Sequence, residues 1–164
     1  MVVVLLALLA GFAATSGAGA PQRTVPCKEA IETTAFPFRA GGYRVVLGVV
    51  SAPPAYLAEI EDTGQQPWPY WRKQGLVVRA GSRPVTISVP AAWRGRAAID
   101  WGYGGTGGPF ASVRIATCGS GSSKGKAYSG GFSLREPTAC LPLVIRAGGR
   151  TATVRIGLGR RCPA

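Results

Sequence analysis

The sequence predicts an all-β fold, an antiparallel β-sandwich of about eight strands with one short helix and two disulfides. Three observations carry this. Apolar runs of strand length recur along the chain, separated by the turn formers Gly and Pro, of which there are 24 and 13. In Thr151-Ala152-Thr153-Val154-Arg155-Ile156 polar and apolar residues alternate, which puts Ala152, Val154 and Ile156 on one face of a strand and the other three on the opposite face. Four cysteines, Cys27, Cys118, Cys140 and Cys162, occur with no histidine, as in a disulfide-stapled domain outside the cytoplasm. Strand runs at this spacing, without alternating helices, favour an immunoglobulin-like sandwich over a parallel α/β sheet.

Residues 1–20 read as a secretory signal peptide. An apolar stretch from Val2 to Ala14 gives way to small residues and ends in Ala18-Gly19-Ala20, directly before Pro21. No Lys or Arg precedes the stretch, so the initiation site is expected upstream. A membrane span needs about 20 predominantly apolar residues, and here Thr15, Ser16 and Gly17 intervene first. Lipid attachment at Cys27 is disfavoured because Thr24-Val25-Pro26 lacks the small residues such processing requires. Residues 21–164 are then one secreted, monomeric domain, long enough to bury roughly two-thirds of its unfolded surface.

Within that domain strands are expected at 43–50, 75–79, 85–90, 97–101, 110–117, 127–134, 141–146 and 151–158. The helix is expected at 53–62, where Ser51 can cap, prolines sit at the start and Gly64 follows the end. Segments 102–108 and 119–125 are glycine-rich loops. Four cysteines allow three pairings, and the sequence alone does not choose among them. The strand order supplies a geometric argument. Successive hairpins leave Cys118 and Cys140 at opposite ends of the sandwich, about 25 Å apart at about 3.3 Å per strand residue. The last strand then returns Cys162 to Cys140, and Cys27 pairs with Cys118 by elimination.

All 19 basic residues lie after the leader, against seven acidic ones, for a net charge of +12. Fifteen of the 19 are arginine, which favours bidentate contact with phosphate, sulfate or carboxylate. The chain also lacks Asn and is rich in Ala, Gly and Pro, so GC-rich coding explains the same bias equally well.

Without histidine there is no Ser-His or Cys-His nucleophile and no blue-copper site, and the cysteines are too widely spaced for a thiolate zinc site. No metal or cofactor is expected. Ser123-Lys124-Gly125-Lys126 fits the S-x-x-K pattern, but within a Gly/Ser loop rather than on a helix. The segment from Gly102 to Gly107 fits G-x-G-x-x-G, but a strand follows it where a phosphate-binding helix belongs. Of the seven carboxylates, Asp100 beside Trp101 is the most suggestive for glycan chemistry, although an aspartate on an alternating strand more simply faces solvent.

The candidate binding residues are aromatic and cationic: Trp68, Tyr70, Trp71, Arg72 and Lys73 in one segment, with Trp93, Arg94 and Arg96 in another. Such residues stack on sugars, sit at membrane interfaces or hold an anionic polymer; alternatively Trp71 and a neighbour plug the open end of the sandwich. Arg114, Arg135, Arg146, Arg150, Arg155, Arg160 and Arg161 form a basic stripe if neighbouring strands align them, and a solvated face otherwise.

The run Trp68-Pro69-Tyr70-Trp71-Arg72-Lys73, the stretch from Pro84 to Arg94, Arg114-Ile115-Ala116-Thr117-Cys118, Tyr128-Ser129-Gly130-Gly131-Phe132, Cys140-Leu141-Pro142-Leu143 and Gly157-Leu158-Gly159-Arg160-Arg161-Cys162 together resemble a group of small secreted actinobacterial proteins with no assigned function. The resemblance implies export and a β-rich fold, and carries over no site.

The expected function is a non-enzymatic binding module for an anionic partner, an envelope polymer or an acidic protein, outside the cell or at its envelope. Nucleic acid is disfavoured by the compartment. Two other classes are a carboxylate-dependent enzyme acting on glycans through Asp100, and an accessory subunit docking through residues 67–73.

Overall fold

The computed structural model describes residues 22–102 and 108–164; the predicted signal peptide lies outside the described residues, as does most of the 102–108 loop. Strands dominate. In chain order they are β1 (Gln22–Val25), β2 (Glu32–Ala35), β3 (Arg44–Val46), β4 (Val50–Ala52), β5 (Tyr56–Leu57), β6 (Glu61–Asp62), β7 (Tyr70–Lys73), β8 (Leu76–Arg79), β9 (Val85–Ser88), β10 (Ala97–Trp101), β11 (Ser112–Ile115), β12 (Lys124–Tyr128), β13 (Gly130–Leu134), β14 (Ala139–Ala147) and β15 (Arg150–Leu158). The helical residues described are three single 3₁₀ turns, Cys27–Glu29, Ala40–Gly42 and Ala91–Trp93.

One sheet has the order β1-β11-β9-β14-β15-β5. The β1/β11 and β15/β5 pairs at its two edges are parallel, and its inner pairs are antiparallel. The other strands form a four-stranded sheet, β10-β13-β7-β6, and a five-stranded sheet, β2-β12-β8-β4-β3. These last two are halves of one bent sheet. The pairing of Tyr70 with Leu134 and Lys73 with Gly131 continues without slippage to Leu76 with Tyr128 and Arg79 with Gly125. Gln74 N–H donates to Gly130 O at 2.7 Å across the bend.

Alternation builds the core. Val85 and Ile87 on β9, Val113 and Ile115 on β11, and Leu141, Leu143 and Ile145 on β14 are buried from the six-stranded side. Leu76, Val78, Ile99, Trp101, Phe132 and Leu134 join the same cluster from the bent sheet. Trp101 meets Phe132 edge-on at 5.5 Å, and its indole N–H donates to Gln74 O at 2.8 Å, which satisfies the one polar atom this ring buries. On the reverse face of the five-stranded sheet, Phe36, Val77 and Ala127 form a small second cluster.

Several expectations are corrected. Run 43–50 is a hairpin, β3 to β4, because Leu47 and Gly48 both take positive φ (54° and 70°) and reverse the chain. Segment 53–62 is no helix. Successive prolines at 53 and 54 withhold two backbone donors, and Tyr56 and Leu57 find a better outlet by pairing with Gly157 and Leu158 of β15, which buries Leu57. Lys124 and Gly125, expected in a loop, open strand β12, and the expected strand 127–134 is divided between β12 and β13; Lys126 Nζ donates to Thr33 Oγ1 at 2.7 Å, so the S-x-x-K pattern is a strand entry.

Both expected disulfides are present, Cys27–Cys118 and Cys140–Cys162, which suits an oxidising, extracytoplasmic environment. The ladders explain the pairing. Ile115 is opposite Val85, and Val85 opposite Ala147, so Cys118 emerges at the Ala147 end of β14 while Cys140 occupies the other end. No described helix is long and apolar enough to cross a membrane.

Candidate functional site

The aromatic segment becomes β7 together with the turn before it, and its side chains divide between two faces. Trp71 lies in an outer row with Ala98, Ser133 and Glu61, and Lys73 in the next row with Gly131 and Asp100. Tyr70, opposite Leu134, packs against the core instead, and Arg72 lies on the same face opposite Phe132. Arg72 Nη1 reaches the exposed Glu59 carboxylate at 3.5 Å, a pair of little energetic weight in solvent. Trp71 is therefore not an end plug; it is half-buried on an open sheet face.

The second candidate cluster meets the first through Arg135. The Arg135 guanidinium lies 5.5 Å from the Trp68 ring centre, and Arg96 lies 4.6 Å from that of Trp93. Arg135 N–H donates to Arg96 O at 3.0 Å, which joins the two stacked pairs. Trp68 with Arg135 and Trp93 with Arg96 thus form two stacked ring–cation pairs joined through the backbone of the two arginines, with Arg94 exposed beside the second pair.

Next to the Trp68 pair is a depression of about 480 Å³ on the outer face of the four-stranded sheet. Trp68 and Trp71 wall one side, the loop residues Thr63, Gln65 and Gln66 rim it, and Asp100 and Pro109 face them. Of β13, Ser133 lines it between Trp71 and Asp100, and Gly131 lies in the next row between Asp100 and Lys73. A Cβ on Gly131 would overlap Arg72 O, so this position excludes any larger residue.

Asp100 is held from behind. Its Oδ1 is buried and has no hydrogen-bond partner, with Arg23 Nη1 at 3.6 Å. Arg23 is itself fixed by Glu29 at 2.5 Å and by donation to Trp101 O at 2.8 Å. Burial pushes the Asp100 carboxyl above the usual range; Arg23 opposes this and Glu29 adds to it. Among the described residues Asp100 is the one carboxylate lining the depression, where glycoside hydrolysis uses two.

The other end of the molecule is cationic. Thr24, Arg114, Thr86, Arg146 and Thr151 form one outward cross-strand row over β1, β11, β9, β14 and β15, which aligns two of the arginines read from the sequence. Arg146 also lines a depression of about 310 Å³ with Pro84, Thr86, Gly149 and Arg150. Beyond the Gly148 turn, a second depression of about 220 Å³ is lined by Arg79, Arg83 and Arg150. Arg150 also donates to Leu47 O, which ties the β3–β4 turn to this end. Among the described residues no carboxylate lines either depression. The three ion pairs among the described residues involve only Arg23 and Arg72.

Arg79 and Arg83 were not among the sequence candidates. The available signal was their spacing across Ala80-Gly81-Ser82, where Gly81 takes φ 69° and Ser82 N–H donates to Arg79 O at 3.3 Å. That turn brings both arginines to one end. Among the described residues no three Cys, Asp or Glu side chains gather as metal ligands would. No protein-family model matches the chain, and a search of curated proteins finds no match.

Proposed function

We propose that the protein is a secreted, non-enzymatic binding module that holds an anionic partner through the arginine-lined end of its six-stranded sheet. The observation that carries this reading is the convergence of Arg79, Arg83, Arg114, Arg146 and Arg150 around the β9 and β14–β15 turns, with no carboxylate lining the same depressions. Arginines of one sign on a concave surface raise the local concentration of a polyanion and bind its oxyanions bidentately. The partner class is a phosphate- or sulfate-bearing envelope polymer. An enzymatic reading has less support, because the aromatic depression offers one carboxylate and the chain has no histidine.

The test compares the oxidised 21–164 chain with its Arg83→Gln/Arg114→Gln/Arg146→Gln variant, all three side chains being exposed. Retention on washed cell envelopes is followed across a sodium chloride series beside an equally basic control protein. Retention above the control that falls with salt, and that the variant loses, supports the reading. Equal retention of variant and parent sinks it.

A further inference from the structure

From the depression between Trp71 and Asp100 we infer a second binding site, separate from the arginine end, that takes an uncharged, hydroxyl-rich sugar ring of a glycan chain. Its volume of about 480 Å³ falls within the range of small-ligand sites, about 300–1,000 Å³.

The lining chooses the chemistry. On a chain of net charge +12, none of the residues lining this depression is cationic and one is a carboxylate. An oxyanion there would meet Asp100 with no cation on the lining to bind it, Arg23 lying behind Asp100 and already held by Glu29 and Trp101 O, so the ligands suited to the opposite end are disfavoured here. A purely apolar ligand is disfavoured as well. Asp100 Oδ1 is buried on the Arg23 side, but the side chain as a whole is 36% exposed, so Oδ2 can accept from a ligand hydroxyl in a short, charge-assisted bond. Gln65 and Gln66, both exposed on the rim, offer amides that donate and accept together, as vicinal hydroxyls require.

The remaining surface is flat and apolar. Trp68 and Trp71 are half-buried, so their rings are held in place yet still reach the depression. Arg135 stacked on Trp68 restrains that ring further. A pyranose has one face of C–H groups and an equatorial belt of hydroxyls, and this combination of ring planes with a polar rim complements both. The small Ser133, which lines the depression directly across from Trp71, gives the ring room to lie against Trp71. With a single carboxylate lining the site, the ring is held rather than cleaved.

The inference does not depend on the polyanion reading, and the experiment keeps the two apart. Tryptophan fluorescence of the folded, oxidised 21–164 chain is titrated with neutral tetrasaccharides of β-1,4-glucose, α-1,4-glucose, β-1,4-mannose and β-1,4-N-acetylglucosamine. Saturable quenching by at least one of them is expected. Trp71→Ala should weaken it about tenfold or more, the scale of one lost aromatic contact. Because Trp71→Ala also removes packing from β7, Gln65→Ala/Gln66→Ala on the exposed rim serves as the second variant and should weaken binding about threefold or more. Arg83→Gln/Arg114→Gln/Arg146→Gln should leave sugar binding unchanged. The inference is overturned if no neutral sugar binds at millimolar concentration. Quenching that survives both depression variants, or that requires a charged sugar, overturns it equally.

Discussion

Gly157 lies directly across the β14–β15 ladder from Cys140, and the tail that returns Cys162 to Cys140 runs over it so closely that a Cβ at Gly157 would lie 3.2 Å from Cys162 N and overlap Arg160 O. The bridge and the glycine are one device: the tail crosses β15 only because nothing projects there. Gly157→Ala should displace residues 160–162 and cost about 1–3 kcal/mol, the usual scale of overpacking. A lower melting temperature in the oxidised protein, together with faster reduction of one disulfide, would bear this out. Unchanged melting and unchanged thiol release would refute it.

The two bridges should contribute unequally. Cys27–Cys118 spans 91 residues and Cys140–Cys162 spans 22. In the chain-entropy account the longer loop contributes about 4.6 kcal/mol and the shorter about 3.4. The longer one also anchors β1, the edge strand that pairs in parallel with β11. Denaturant titration of Cys27→Ala/Cys118→Ala and Cys140→Ala/Cys162→Ala should place the first pair lower in stability. The reverse order would show that native-state contacts of the C-terminal tail outweigh loop closure.

Tyr128 provides an alkaline test of the interior. Its ring is buried, its hydroxyl donates to Cys118 Sγ at 3.4 Å, and burial together with the nearby Glu29 charge pushes its pKa up to about 12. With the folded value above the unfolded value of about 10, the folded state holds the proton more tightly. Stability from this group is therefore complete below about pH 10 and is lost as pH rises towards about 12. Tyr128→Phe should lose less stability than the parent across that window. Parallel losses in the two proteins would mean that the phenol does not report on unfolding.

The β class, the positions of most long strands and the disulfide pairing were legible because each rests on local alternation or on hairpin geometry. Thr151 to Ile156 alternates as read, and β14–β15 form a continuous nine-pair ladder. The 53–62 segment misled because helix punctuation at Ser51, Pro53 and Gly64 is local, whereas its pairing to Gly157 and Leu158 spans some hundred residues. The short edge strands β1 and β2 have no pattern of their own and exist through their partners β11 and β12. At the candidate site the aromatic residues stood out by type. Their division between core and outer face depended on register with β13, and the arginine end depended on which turns meet, so neither was visible in the residue order.

Asp100 links the fold to the aromatic depression, and its titration has a definite sign. Burial raises its pKa despite Arg23, so the folded state binds a proton more tightly than the unfolded one. The contribution of this group to stability is thus greatest below the ordinary aspartate value of about 3.9 and is lost as pH rises through the shifted value. Asp100→Asn removes that dependence while keeping the shape. Between about pH 4 and neutrality, the variant should therefore gain stability relative to the parent as pH increases, with Arg23 still held by Glu29 and Trp101 O. Melting curves of both proteins across this range decide it. If the parent instead gains on the variant with rising pH, attraction to Arg23 outweighs the cost of burial, and Asp100 is a structural ion-pair partner rather than an acceptor kept available for a ligand.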